Sequence, residues 1–148
     1  MLNEKELEII KHLRKDARTS LLSISDVVQM PTSTIYDKIN KMKKEKIITG
    51  YTALVDFKKL GINHHSKVVI KVIPEHKNEL LRFLQGQENV NSIYHINSGY
   101  DFMVEVLSKD IKDHLELVEK IKNSFNITEI YQYQVVDEVI REKVFKLD

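Results

Sequence analysis

Residues 20–46 read SLLSISDVVQMPTSTIYDKINKMKKEK, and two helical segments separated by a tight corner account for them. Leu21, Ile24, Val27 and Val28 have the spacing of one buried face over Leu21–Val28, with Ser20 or Thr19 in the capping position. Beyond Gln29-Met30-Pro31, Ile35, Ile39 and Met42 recur at i, i+4 and i+7, the narrow buried stripe of a helix from Ser33 to about Glu45. Thr32 is its expected cap. The other side of that helix carries Ser33, Tyr36, Asp37, Asn40, Lys41 and Lys44. Upstream, Asn3 followed by Glu6 has the form of a capping box, and Leu7, Ile9, Ile10 and Leu13 make the inward face of a first helix. The polar break Asp16–Thr19 ends it. Downstream, Ile47-Ile48 and Gly50-Tyr51 lead into an extended stretch, Tyr51 to Phe57. Three short helices, the third polar and basic outward, followed by a strand outline a winged helix-turn-helix.

The second half changes period. Ser66–Ile73 (SKVVIKVI) is β-branched and stops at Pro74, so a strand is expected there. Glu75–Leu84 has helical spacing with Leu80, Leu81 and Leu84 inward. Val90–Ile96 and Phe102–Leu107 read as strands around the turn-forming Asn97-Ser98-Gly99-Tyr100-Asp101. Ile111–Phe125 reads as a helix with Ile111, Leu115, Val118 and Ile121 or Lys122 inward. The last strand region begins at Ile127 and runs to Val136, or on to Val144. The order β-α-β-β-α-β is that of a ferredoxin-like unit, one sheet with both helices on one face. The fold class is therefore α+β, with a winged helix-turn-helix over residues 1–63 and a βαββαβ domain over 64–148.

Alternation in those strands is two-sided. Val68, Ile70 and Val72 lie on one face and Val69 and Ile73 on the other, while Phe102, Val104 and Val106 alternate with Met103 and Leu107. Two helices cover a single face, so the other calls for a second copy of the chain, unless a C-terminal tail strand covers it. A homodimer is expected.

Composition narrows the function. The chain has 148 residues, 42% hydrophobic and 30% charged, the balance of a folded globular protein. No apolar run approaches the ~18–20 residues of a membrane span, and MLNEKELEII lacks the apolar core of a signal peptide, so cytoplasmic residence without a membrane partner is expected. The absence of cysteine excludes disulfides, thiol catalysis and cysteine-bound metal. His12, His64, His65, His76, His95 and His114 show no compact ligand spacing, and no metal or cofactor is expected. The net charge of +1 conceals an asymmetry: residues 1–63 hold 12 Lys and Arg against 8 Asp and Glu, residues 64–148 hold 11 against 14. Lys38, Lys41, Lys43, Lys44 and Lys46 fall within nine residues of the third helix and its end. A lysine run is most often a solvated helix face. On a helix-turn-helix it is also a grip for a polyanion.

Several short motifs in order give the chain a family likeness. Asp16-Ala17-Arg18 with Ser20 is close to D-A-R-x-S, and Ser33-Thr34-Ile35 with Lys38-Ile39 is similar to S-T-V-x-x-R-I. Ile48-Thr49-Gly50-Tyr51-Thr52-Ala53, Leu60-Gly61 and Ser98-Gly99-Tyr100-Asp101-Phe102 follow at compatible spacing. Together they resemble the Lrp/AsnC family, the feast/famine transcription regulators of bacteria and archaea, over essentially the whole chain. The departures are Ser25 for Ala, Gln29 for the Gly of the corner, Pro31 for the capping Ser and Lys46 for the Gly that ends the third helix. Gln29 is thus expected in a left-handed conformation that favours Gly.

On a helix lying in the major groove, Ser33, Tyr36, Asp37, Asn40 and Lys41 are the candidates for base edges, Asn for adenine and Lys for guanine. Thr32 and Thr34 stand where a helix N-terminus meets phosphate, and Lys38, Lys43 and Lys44 supply the sequence-independent grip. A two-fold dimer then implies duplex DNA with inverted half-sites. The resemblance further implies an amino-acid effector held at contacts between dimers, with tetramers or octamers as larger assemblies. Its turn falls on Ser98, Gly99, Tyr100 and Asp101, where Asp101 offers a carboxylate to an ammonium group and Gln132 or Gln134 would sort side chains. Some relatives of the same architecture decarboxylate sirohaem. His95 is the one residue here suited to that, and the lysine-bearing third helix argues for DNA and against an enzyme. An effector-free architectural DNA binder is the other alternative.

Overall fold

The computed structural model of the chain describes residues 1–147. It contains two compact units, one running from Met1 to Leu54 and taking in the segment from Val139, the other spanning Val55–Glu138.

The first unit is built on α1 (Glu4–Lys15), α2 (Leu21–Val28) and α3 (Thr32–Lys44). The capping box of α1 is complete, with the Glu6 amide donating to Asn3 Oδ1 and the Asn3 amide donating to Glu6 Oε2. Ser20 caps α2, its Oγ accepting from the Ser23 amide at 3.1 Å. Gln29 sits at φ 53°, ψ 57°, the left-handed corner expected of it, and Lys46 closes α3 the same way at φ 59°. Ile9, Ile24, Val28, Ile35 and Met42 form the buried core, with Leu13, Met30, Ile39 and Ile48 among those packed around it.

The first unit departs from the sequence expectations at three places. Val27 is 57% exposed: Ile24 and Val28, one turn apart, are buried with Leu21 packed against them, and Val27 falls outside that face. Thr32 is the first helical residue rather than the cap, and Pro31 precedes the helix without a side-chain acceptor. Residues 51–57 hold no regular strand; a strand exists only in a ladder, and the sheet of this chain is completed by other segments. At the far end, Arg14 gathers the returning C-terminal segment. Its Nη1 donates to Glu142 Oε2 at 2.9 Å, its Nη2 to the Lys143 carbonyl at 3.3 Å, and its guanidinium lies 5.5 Å from the centre of the Phe145 ring.

The second unit runs β1 (His64–Val72), a 3-10 turn, α4 (Lys77–Gln85), β2 (Val90–His95), β3 (Phe102–Ser108), α5 (Ile111–Ser124) and β4 (Ile127–Gln134). The sheet order is β2-β3-β1-β4 with every neighbouring pair antiparallel, the ferredoxin-like arrangement. Val68, Ile70, Val72, Phe102, Val104 and Val106 meet Leu80, Leu84, Leu117 and Ile121 in one core. The face of α5 is rotated from the expected one: Ile111 and Leu115 are 56% and 47% exposed, and His114, Leu117, Val118 and Ile121 are buried. The last strand ends at Gln134 and does not continue to Val144.

His114 can be buried because its ring is satisfied, with Nε2 2.7 Å from Gln132 Oε1 and Nδ1 3.3 Å from Ser66 Oγ. His64 and His65 point to opposite faces of β1. His64 is buried against His114, ring centres 4.5 Å apart. His65 Nε2 lies on the other face, 2.8 Å from Glu105 Oε2.

This pairing predicts an acid response. Burial, aided by the adjacent His114 and His65, lowers the pKa of His64 below 6.5, so the stability that neutral His64 contributes is complete above pH 6.5 and is lost as pH falls through its folded value. Burial would raise Glu105, but hydrogen bonds from Asn91, His65 and Lys67 outweigh it and hold its pKa at about 2, so its contribution persists down to 4.5 and disappears only toward 2. From pH 6.5 down to 4.5 the histidine acts alone of the two. Urea unfolding at about pH 8 and about pH 5 should show the wild type losing stability relative to His64→Leu. Equal losses in both proteins would remove His64 as the cause.

Candidate nucleic-acid interface and effector turn

The solvent side of α3 is the one read from the sequence. Ser33, Tyr36, Asp37, Asn40, Lys41 and Lys44 are exposed, Tyr36 to 57%, and Ile35 and Met42 are turned into the core. Pro31 offers no side-chain acceptor; its carbonyl takes the Thr34 and Ile35 amides, and the Thr32 and Ser33 amides point off the helix end. Thr34 is half-buried at the flank. Lys43 Nζ stands 5.8 Å from the centre of the Tyr51 ring, and Lys41 Nζ is 3.9 Å from Glu45 at the surface, a contact worth little in water.

Lys38 is placed differently from the other lysines. Its Nζ donates to Glu6 Oε1 across to α1 at 3.0 Å, with side-chain exposures of 24% and 13%. The Asn3 amide, bonded to the other oxygen, and Lys38 together lower the pKa of Glu6. Sequence reasoning did not find this pair, since its members are 32 residues apart.

In the second unit the turn between β2 and β3 is held in a special backbone conformation, with Ser98 at φ 64° and Gly99 at φ 90°. The Asp101 carboxylate is already engaged. Its Oδ2 accepts from the Val72 amide at 2.9 Å, and its Oδ1 lies 3.5 Å from Lys77 Nζ. Tyr100 is hydrogen-bonded to Glu129, which raises its pKa, and its ring meets that of Tyr131 at 6.1 Å. Gln134 pairs with Ser66 and Gln132 with Val68, whereas the turn adjoins the Ile70 end of β1. Gln132 also faces His114 on the helix side. Within one chain, then, the turn's neighbours on β4 are Glu129 and Tyr131, and neither glutamine is brought to it. Strand register decides this, and the sequence does not display register.

The sheet face away from the helices carries Val69, Met103 and Leu107 with Tyr94, Tyr131 and Tyr133, all three tyrosines at least half exposed. A charged cluster on this face is closed on itself: Glu105 is bonded by His65, Lys67 and Asn91. His95 is exposed and stacked on Phe102 at 4.8 Å. Among the described residues no group of three or more His, Asp and Glu is placed to hold a metal ion, and no helix is long and apolar enough to cross a membrane.

Comparison with known proteins agrees with this architecture. Residues 2–49 match the winged helix-turn-helix DNA-binding family. The chain is 30% identical over 112 residues to the HTH-type transcriptional regulator FL11 of Pyrococcus abyssi, covering 76% of this chain and 74% of that protein. AsnC of Escherichia coli has the same fold with a TM-score of 0.84 at 22% identity, over 95% of this chain and 96% of that one. The transcriptional regulator NMB0573 of Neisseria meningitidis, solved as an L-Met complex, superposes with a TM-score of 0.89 at 13% identity, over 100% and 98%. Fold and relatives together define a DNA-binding transcriptional regulator of the winged helix-turn-helix class. The chain belongs to the Lrp/AsnC family.

Proposed function

We propose that this protein is a sequence-specific, cytoplasmic transcriptional regulator without enzymatic activity that binds duplex DNA as a homodimer. Residues 1–63 are the DNA-binding module with its hinge, and residues from 64 onward the dimerisation and effector module, apart from the segment from Val139, which belongs with the first unit. The observation that carries the reading is α3, whose apolar stripe is buried while its polar and lysine-bearing face is open to solvent. Ser33, Tyr36, Asp37, Asn40 and Lys41 address base edges; Thr32, Thr34, Lys43 and Lys44 address phosphates. The apolar and aromatic sheet face pairs with a second copy, which sets two α3 helices about a two-fold axis and calls for inverted half-sites. An amino acid acts as effector at the Ser98–Asp101 turn in assemblies larger than the dimer, a reading supported by the L-Met complex of a protein of the same fold. Since Asp101 is bonded to Val72 and Lys77, its part there is to hold the turn, and the ligand's ammonium falls to groups supplied by assembly.

Substitution on α3 tests the DNA reading. Asn40→Ala should lose about 1–3 kcal/mol of discrimination for each base contact it makes. Lys43→Ala and Lys44→Ala should weaken every duplex about equally and flatten the log K against log[salt] slope by about one unit per contact, or about two in a dimer. If Asn40→Ala binds its selected site as tightly and as selectively as the wild type, α3 is not the reading helix.

A further inference from the structure

We propose that Glu6 and Lys38 form a positioning pair that sets the pose of α3 and thereby sequence discrimination, and that Lys38 is not part of the phosphate grip. This rests on the DNA-binding reading above and refines it.

Lys38 is the one lysine of α3 whose charge is matched at hydrogen-bond distance inside the unit. Glu6 Oε1 accepts from its Nζ at 3.0 Å, and both side chains are largely covered, whereas the Lys41–Glu45 contact is exposed at 3.9 Å. Glu6 is itself immobilised: its second oxygen holds the Asn3 amide and its own amide donates to Asn3 Oδ1. One carboxylate therefore joins the N-terminal cap of α1 to the middle of α3. Lys38 stands in sequence between Ile35 and Met42, the two buried residues of α3, so the bond acts on the helix where it is anchored. An apolar stripe fixes how deeply a helix packs but resists sliding and rotation weakly. A directional charge-assisted hydrogen bond at its edge resists both. Base readout depends on the rotation of α3, because a small turn about its axis moves Asn40 and Tyr36 out of hydrogen-bond geometry while leaving long lysines able to follow phosphates. To bind a phosphate, Lys38 would have to abandon a partly buried carboxylate, at the cost of leaving that charge unpaired.

Glu6→Gln separates the pair from the cap, since a glutamine at this position still completes a capping box. The experiment measures Kd for a selected operator and for a random duplex across a salt series, with Glu6→Gln, Lys38→Met, the double variant, and Lys43→Ala and Asn40→Ala as references. Both single variants are expected to lower the operator-over-random ratio by roughly five-fold, with the double variant no worse than either. Neither should change the salt slope by more than about half a unit, against about one to two units for Lys43→Ala. A slope for Lys38→Met as flat as that of Lys43→Ala would make Lys38 a phosphate contact and overturn the proposal, as would an unchanged ratio in Glu6→Gln. Should Asn40→Ala also leave the ratio unchanged, the DNA-binding reading of α3 fails with it. A changed Asn40→Ala with unaltered Glu6→Gln and Lys38→Met rejects the positioning pair alone.

Discussion

Inserting about five base pairs between the half-sites of the selected operator is expected to abolish tight binding, lowering affinity toward that of a single half-site at physiological salt. Two copies of α3 related by a two-fold axis can enter successive major grooves only when those grooves face the same side of the duplex. Half a helical turn places the second half-site on the far side. Realigning it would take a twist of about half a turn within a short spacer, a deformation the duplex does not make at small cost. Each α3 then reads alone, and the contribution of the second half-site is forfeited. A spacing series measured by titration at fixed salt checks this, and constant affinity through the series would mean that one protomer is the reading unit.

Met103→Asp is expected to have the next largest effect, converting the dimer to monomer and removing tight operator binding with it. Met103 lies opposite both Val69 and Tyr94 in the sheet register, in the middle of the face that the helices leave open. It is only half-buried in the single chain, so a carboxylate there stays in contact with water in a monomer and need not unfold the domain. Across a dimer the same carboxylate is shut between two apolar sheets. Burying an unpaired charge costs several kcal/mol per ion even after relaxation, and two-fold symmetry brings in two of them. Of the cations on this face, Lys67 is already committed to Glu105. Sedimentation should show a monomer with an unchanged helix and strand spectrum. A variant that remains dimeric would place the interface elsewhere.

The parts of the structure legible in the sequence are those set by neighbours a few residues away. The Asn3–Glu6 box, the Ser20 cap, the left-handed Gln29 and the Ile35–Met42 stripe each depend on a spacing within one or two turns. Helical spacing alone put Val27, Ile111 and Leu115 on the buried face, where the structure exposes them, since a helix can offer more than one apolar face and the partner decides which is used. In α5 the chosen face contains a histidine, acceptable only because Ser66 and Gln132 arrive from two other strands. The strand expected at residues 51–57 failed for a related reason: β propensity is no guarantee of a neighbour to pair with. In the candidate sites, the exposed face of α3 was readable, whereas the engagement of Lys38 by Glu6, of Asp101 by Val72 and of Tyr100 by Glu129 joins residues 32, 29 and 29 positions apart along the chain. Such contacts are products of the fold, and they change what two of the expected ligand-binding charges are free to do.

The central claim, that this chain reads DNA sequence through α3, is tested most directly by selecting bound duplexes from a random pool with the full-length protein. The affinity of the selected site is then compared with that of random duplex at physiological salt. An inverted repeat should be enriched and bound about a thousand-fold or more tightly than random sequence, with the preference reduced in Asn40→Ala. A pool that does not converge, or a ratio below about ten, would contradict the central claim and mark the protein as a binder of DNA without a reading helix.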